Sequence, residues 1–161
     1  MRCNMGHNTA PKDAGLPAFD VCVRGNTFAV REALEKVLEG LGPLGLDIEE
    51  AGTIEIVLAE ALNNIVEHAY ACASSDGPIR INCEHRKNGL HLTIHDEGVA
   101  LPDEKAPLGA LAPIGDRIMD MPEGGFGWFL INDLARDIKY RRIGNENELS
   151  LRLAIGLTSS T

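Results

Sequence analysis

Three segments of the chain alternate apolar and polar residues with a period of two, and each leaves one side polar. Ile79, Ile81 and Cys83 alternate with Arg80, Asn82 and Glu84; Leu90, Leu92 and Ile94 alternate with His91, Thr93 and His95; Leu149, Leu151, Leu153 and Ile155 alternate with Ser150, Arg152 and Ala154. Strands buried on both faces read as unbroken apolar runs, so these belong to an antiparallel or mixed sheet covered on one side only. Phe19, Val21 and Val23 suggest a first strand and Ile138, Tyr140 and Arg142 another, with turns at Asn88-Gly89 and Gly144-Asn145. Helices must cover the apolar side. The predicted fold is α/β of the α+β kind: a two-layer sandwich of a mixed, mostly antiparallel sheet of about five strands with three helices on one face.

Two of those helices are visible upstream. Phe28, Val30, Leu34, Val37, Leu38 and Leu41 give one apolar stripe, ended by Gly40, Gly42, Pro43 and Gly45. Asp47 then caps a second helix, with Glu49 and Glu50 in its first turn, and the spacing carries this helix to about Cys72. At about 100° per residue, Ile54, Val57, Leu58, Ala61, Leu62, Ile65, Val66 and Ala69 fill one continuous arc of it. Glu60, Asn64 and His68 recur at four-residue intervals along the shoulder of that arc, with His68 inside its border. Polar groups at such a border are costly unless something satisfies them. A carboxylate, an amide and an imidazole in one row suit a metal, a phosphate or a proton transfer, although the row alone also fits three ordinary polar residues on a long helix.

Two further motifs lie downstream. The strand through His95 ends in Asp96-Glu97-Gly98, a carboxylate able to accept from an exocyclic amine beside a glycine that permits close approach to a flat ligand. Taken alone, D-x-G is a common turn. A stretch rich in proline follows, with Pro102, Pro107, Pro113 and Pro122, long enough to read as a lid or as a slack surface excursion. It ends at Gly124-Gly125-Phe126-Gly127, which opens the apolar run Trp128, Phe129, Leu130, Ile131, Leu134. Small residues at a helix N-terminus leave N–H groups free for an anion. No Lys-Ser or Lys-Thr follows these glycines, so the turn is not a P-loop.

Composition narrows the options. At 161 residues the chain suits one domain, read as residues 16–157 after a disordered tail of residues 1–15. With 24 acidic against 15 basic residues its net charge is −9, which argues against nucleic acid or an anionic membrane as partner. The N-terminus lacks a signal-peptide core and the protein reads as cytoplasmic. Cys3, Cys22, Cys72 and Cys83 are widely spaced and read as free thiols. A zinc cluster of Cys83, His85, His91 and His95 is disfavoured: an Asn88-Gly89 turn pairs His85 with Leu92 on the apolar face and turns His91 and His95 to the other.

The order of the motifs is their most specific property: a helix bearing E-x-x-x-N-x-x-x-H-A from Glu60 to Ala69, a strand ending Asp96-x-Gly98, a long loop, and Gly125-x-Gly127 opening a helix. Over about residues 16–155 this resembles the GHKL (histidine kinase-like) ATPase superfamily. The short length and the run from Gly125-Phe126-Gly127-Trp128 to Asp137-Ile138-Lys139-Tyr140 resemble anti-sigma factor serine/threonine kinases of the RsbW type.

The resemblance implies a Bergerat-type ATP-binding fold with ATP and Mg²⁺ as cofactors and a lid over about residues 99–124. It implies Glu60 as general base, Asn64 as Mg²⁺ ligand, Asp96 as the partner of the adenine amine, Gly98 beside the base, and Gly125 and Gly127 on the phosphates. His68 matches the motif's histidine, either against the ligand or as packing, and Lys105 and Arg117 are candidate phosphate cations within the lid. Ala100 stands where the family often has a further glycine, which implies a stiffer hinge. The implied activity is phosphorylation of a STAS-domain anti-anti-sigma factor, with a sigma factor as second partner and homodimerisation possible. The alternative is a nucleotide-gated module that sequesters a partner without transferring phosphate. A sensor histidine kinase is disfavoured because nothing before the first strand resembles a phosphoacceptor hairpin.

Overall fold

The computed structural model describes residues 16–70, 77–104, 106 and 125–157. The expected tail at residues 1–15, most of the expected lid, Lys105 and Arg117 lie outside these residues.

Strand β1 (Phe19–Arg24) is followed by helix α1 (Ala29–Gly40), helix α2 (Ile48–Asn64) and a π-helical turn (Ile65–Ala69). The hairpin β2 (Pro78–Arg86) and β3 (Gly89–Asp96) comes next, then α3 (Gly125–Leu134) and the hairpin β4 (Arg136–Ile143) and β5 (Glu146–Leu153). The five strands lie in the order β1-β2-β3-β5-β4. Every pairing between them is antiparallel, so the expected mixture of directions reduces to one kind.

The period-two pattern sets the sheet's inner face. Ile79, Ile81, Cys83, Leu90, Leu92, Ile94, Leu149, Leu151 and Leu153 are all buried and share one core with Ala33 and Val37 of α1, Val57, Leu58 and Leu62 of α2, and Ile131 of α3. The outer face keeps the charges, as in the Arg141 Nε to Glu148 Oε1 bond of 2.7 Å between β4 and β5. Strand β4 buries none of its residues and carries Arg136, Lys139, Arg141 and Arg142, a charged edge of the kind that discourages pairing with another sheet.

Helix α2 starts where its sequence directs. Asp47 accepts from the Glu50 N–H at 2.8 Å, and Glu50 returns its carboxylate to the Asp47 N–H, a reciprocal capping box. The other end departs from a uniform helix. The Tyr70 N–H donates to the Ile65 carbonyl at 3.0 Å, five residues back, so the last turn is wider than an α-turn. That turn resets the phase after Asn64, so that Ala69 and Tyr70 are buried while His68 is exposed, not inside the border of the apolar arc.

The β2–β3 register also differs from expectation. His85 pairs with Leu90 and Cys83 with Leu92, because Lys87 and Asn88 form the turn and Gly89 already pairs with Arg86. Gly89 has φ 128 and its Cα faces the Leu153 carbonyl so closely that no side chain fits, which fixes it as a strand residue. His85 remains on the inner side and bonds the Gly156 carbonyl through Nε2 at 2.6 Å. Cys83 is a free, buried thiol pushed up to about 12 by burial. Cys22 is disulfide-bonded, which corrects the reading of four free thiols: wide spacing in sequence excludes C-x-x-C pairs but not approach in space. Among the described residues no helix is long and apolar enough to cross a membrane.

Candidate nucleotide-binding site

Three elements meet at the site: α2 with its π-turn, the C-terminal end of β3, and the N-terminal end of α3. Glu60 and Asn64 sit one helical turn apart on α2, so they share a face. Asn64 is buried, 9% exposed, and among the described residues its Nδ2 has no hydrogen-bond partner. Buried amides are rarely left unpaired, since the desolvation is then uncompensated. An unpaired Nδ2 at this point fits the triphosphate assignment, because it can donate to a phosphate oxygen while Oδ1 is the atom able to serve a cation or its water.

Helix α3 begins at Gly125, and Gly127 is pressed against Glu60: a Cβ on Gly127 would stand 2.6 Å from Glu60 Oε2. The glycine turn therefore lies beside the carboxylate that resemblance makes the base, 67 positions away in sequence. The first N–H groups of α3 have no intrahelical acceptor, as in any helix, and this end carries the positive pole of the helix dipole.

The D-x-G turn docks on the end of α2. Val99 N–H donates to the Ala69 carbonyl at 2.9 Å, and a Cβ on Gly98 would stand 2.5 Å from that same oxygen. The glycine is thus required here by the helix end. Tyr70 secures the junction: its hydroxyl donates to the Pro78 carbonyl at 2.7 Å and accepts from the Glu97 N–H at 2.8 Å. Burial pushes this phenol up to about 12.

Asp96 is buried, 6% exposed. Its Oδ1 accepts from the Gly98 N–H at 2.9 Å and from Asn147 Nδ2 at 2.8 Å, and among the described residues Oδ2 accepts from none. Burial holds the carboxyl above its ordinary range, and the hydrogen bonds from Asn147 and Gly98, with the Arg142 charge, oppose that rise.

The structure thus brings Glu60 to Gly127, and Asp96 with Gly98 to the end of the helix that bears Asn64. His68 is left on the exposed side. Asn147, Tyr140, Arg142 and Tyr70 were not among the site residues expected from sequence, where Tyr140 and Arg142 figured only as strand residues. For Asn147 a signal existed: it occupies the inward phase of β5 in series with Leu149, Leu151 and Leu153, where an amide is out of place unless something needs it.

Residues 25–153 match the family described as Histidine kinase-like ATPase domain. The chain belongs to that family. Among curated relatives of this ATPase family, the chain is similar to the serine-protein kinase RsbW of Halalkalibacterium halodurans, with 32% identity over 70% of this chain and 66% of that one. It is also similar to RsbW of Staphylococcus epidermidis, with 32% identity over 68% of this chain and 67% of that one. The sensor histidine kinase PdtaS of Mycobacterium tuberculosis is 35% identical over 38% of this chain, but the match spans only 13% of PdtaS. A crystal structure of the RsbU and RsbW domains of a Mycobacterium tuberculosis protein superimposes with a TM-score of 0.60 at 17% identity, covering 86% of this chain and 32% of that one, a likeness of fold.

Proposed function

We propose that this histidine kinase-like ATPase domain is an ATP- and Mg²⁺-dependent protein serine/threonine kinase that acts as an anti-sigma factor. In this reading it phosphorylates a STAS-domain anti-anti-sigma protein and holds a sigma factor according to the partner's state. The observation that carries the reading is the buried Asn64 Nδ2, without a partner among the described residues, one turn from Glu60, with Glu60 against Gly127. The moderate identity to two RsbW serine-protein kinases supports the kinase class.

Each residue has a definite task. Asn64 would hold the cation, which would supply charge stabilisation to the phosphates. The backbone of Gly125 and Gly127 faces the phosphates, with Lys105 and Arg117 assigned to the lid over about residues 99–124. Asp96 accepts from the adenine amine through Oδ2, the oxygen that the described residues leave without a donor. Glu60 receives the proton of the attacking seryl or threonyl hydroxyl, a role for which its contact with the Gly127 turn positions it. Phosphoryl transfer relies on positioning and electrostatics, so this set suffices.

The test incubates the protein with labelled ATP, Mg²⁺ and candidate STAS-domain proteins, alongside Glu60→Ala and Asn64→Ala. Label on a serine or threonine of the partner, lost in both variants, supports the reading. Unchanged transfer in Glu60→Ala overturns the base assignment. Binding of ATP and partner without transfer selects the nucleotide-gated module instead.

A further inference from the structure

One amide ties the 96–99 segment to strand β4 beside Asp96. Asn147 is 2% exposed and pairs in register with Asp96 on β3 and with Arg142 on β4, so the three lie in a row across the sheet. Its Nδ2 donates to Asp96 Oδ1 at 2.8 Å and to the carbonyls of Gly98 and Val99, each at 3.2 Å. Its Oδ1 accepts from the Tyr140 hydroxyl at 2.7 Å and from Arg142 Nη1 at 2.8 Å. Since Arg142 is only a donor and the carbonyls are only acceptors, this chemistry fixes which end of the amide is which.

The surrounding groups repeat the grip. Arg142 Nη1 also donates to the Gly98 carbonyl at 2.7 Å, and the Tyr140 hydroxyl accepts from the Leu101 N–H at 2.9 Å. The β4–β5 hairpin thus holds residues 96–101, a stretch that the end of α2 also holds through the Ala69 carbonyl. Without Asn147, Asp96 retains among the described residues only the Gly98 N–H two residues away, a local turn bond that leaves the plane of the carboxylate free to swing.

We propose that Asn147, braced by Tyr140 and Arg142, is a positioning residue that orients the Asp96 carboxylate so that Oδ2 faces the purine amine, and thereby sets selectivity for 6-aminopurine nucleotides. The inference rests on the nucleotide-binding reading above and adds to it the residue that makes Asp96 discriminating. A carboxylate locked by two donors on one oxygen presents the other in a fixed direction, and a hydrogen bond to a charged acceptor weakens steeply with misalignment.

The experiment measures binding of ATP and of purine riboside triphosphate, which lacks the 6-amino group, to the wild-type chain, Asn147→Ala and Tyr140→Phe by calorimetry, with thermal melts in parallel. The wild type is expected to prefer ATP. Asn147→Ala is expected to reduce that preference about ten-fold or more, mainly by weakening ATP. Tyr140→Phe, which keeps Asn147 and Arg142, is expected to reduce it a few-fold and carries the test should Asn147→Ala fail to fold. A merely structural role lowers both affinities together, so an unchanged ratio in the folded variants overturns the proposal and leaves the nucleotide reading intact. A wild type that binds neither nucleotide overturns that reading itself, and the inference with it.

Discussion

Replacing Gly98 with alanine tests whether the D-x-G turn is docked on the end of α2. The new methyl carbon would stand 2.5 Å from the Ala69 carbonyl oxygen and 2.6 Å from both the Ala69 carbonyl carbon and its Cβ. These are backbone atoms and a short side chain, so relief requires the turn to move away by about 1 Å in a packed region. Overpacking of this kind costs about 1–3 kcal/mol. Loss of the Val99 to Ala69 hydrogen bond adds about 1 kcal/mol. Together these predict a loss of about 2–4 kcal/mol, and a fall in Tm of about 5–15 °C for a chain of this size. Gly52 lies inside α2 with nothing within 4 Å of a new Cβ, so Gly52→Ala should stabilise by about 1 kcal/mol through helix propensity. Urea unfolding and thermal melts of the two variants beside the wild type give the comparison. ATP affinity should fall in Gly98→Ala and stay unchanged in Gly52→Ala. A Gly98→Ala protein within about 0.5 kcal/mol of the wild type would refute the docking argument.

Three further outcomes are expected. Asn64→Leu removes a buried amide whose Nδ2 has no partner among the described residues, so it should leave stability unchanged or raise it by about 1–2 kcal/mol, while abolishing Mg²⁺-dependent ATP binding; a clear loss in urea unfolding would contradict the idea that Asn64 is held there for a ligand. In Gly127→Ala the obstacle is only the end of the Glu60 side chain, so melting should shift by less than about 1 kcal/mol as phosphoryl transfer falls ten-fold or more in single-turnover assays. Cys83 has its thiol pushed up to about 12 from 9.0. The folded state therefore keeps a proton that the unfolded chain releases near its ordinary value, and stability contributed by that difference is intact below pH 9 and declines as pH rises toward 12. Urea titrations from pH 8 to 10.5 should show a shallower alkaline decline in Cys83→Ala than in the wild type, and an equal slope in both would count against the assignment.

The strands and their wet faces were legible because alternation is a local property: Ile79 to Glu84 declares its two sides whatever it later pairs with. The α2 N-terminus was equally legible, since Asp47 and Glu50 satisfy each other within one turn. Glu60 and Asn64 stood out for the same reason, being one turn apart on a stripe that local periodicity defines. His68 was misplaced because a π-turn depends on which hydrogen bond Tyr70 N–H takes, and no residue type announces that. The hairpin register was off because Gly89, read as a turn residue, is a strand residue pressed against the Leu153 carbonyl, far along the chain. The Cys22 bond likewise depends on approach in space.

By itself, then, the sequence determined the kinds of element, the side each buries, and the motif order that resembles a histidine kinase-like ATPase. Tertiary structure alone decided that Gly127 rests on Glu60, that Gly98 must lack a side chain because Ala69 lies behind it, and that Asp96 is held by Asn147 from 51 residues away. The physical reason is range. Periodicity and capping act across one or two turns of chain, whereas the orientation of a buried carboxylate is set by whichever donors the completed sheet brings beside it.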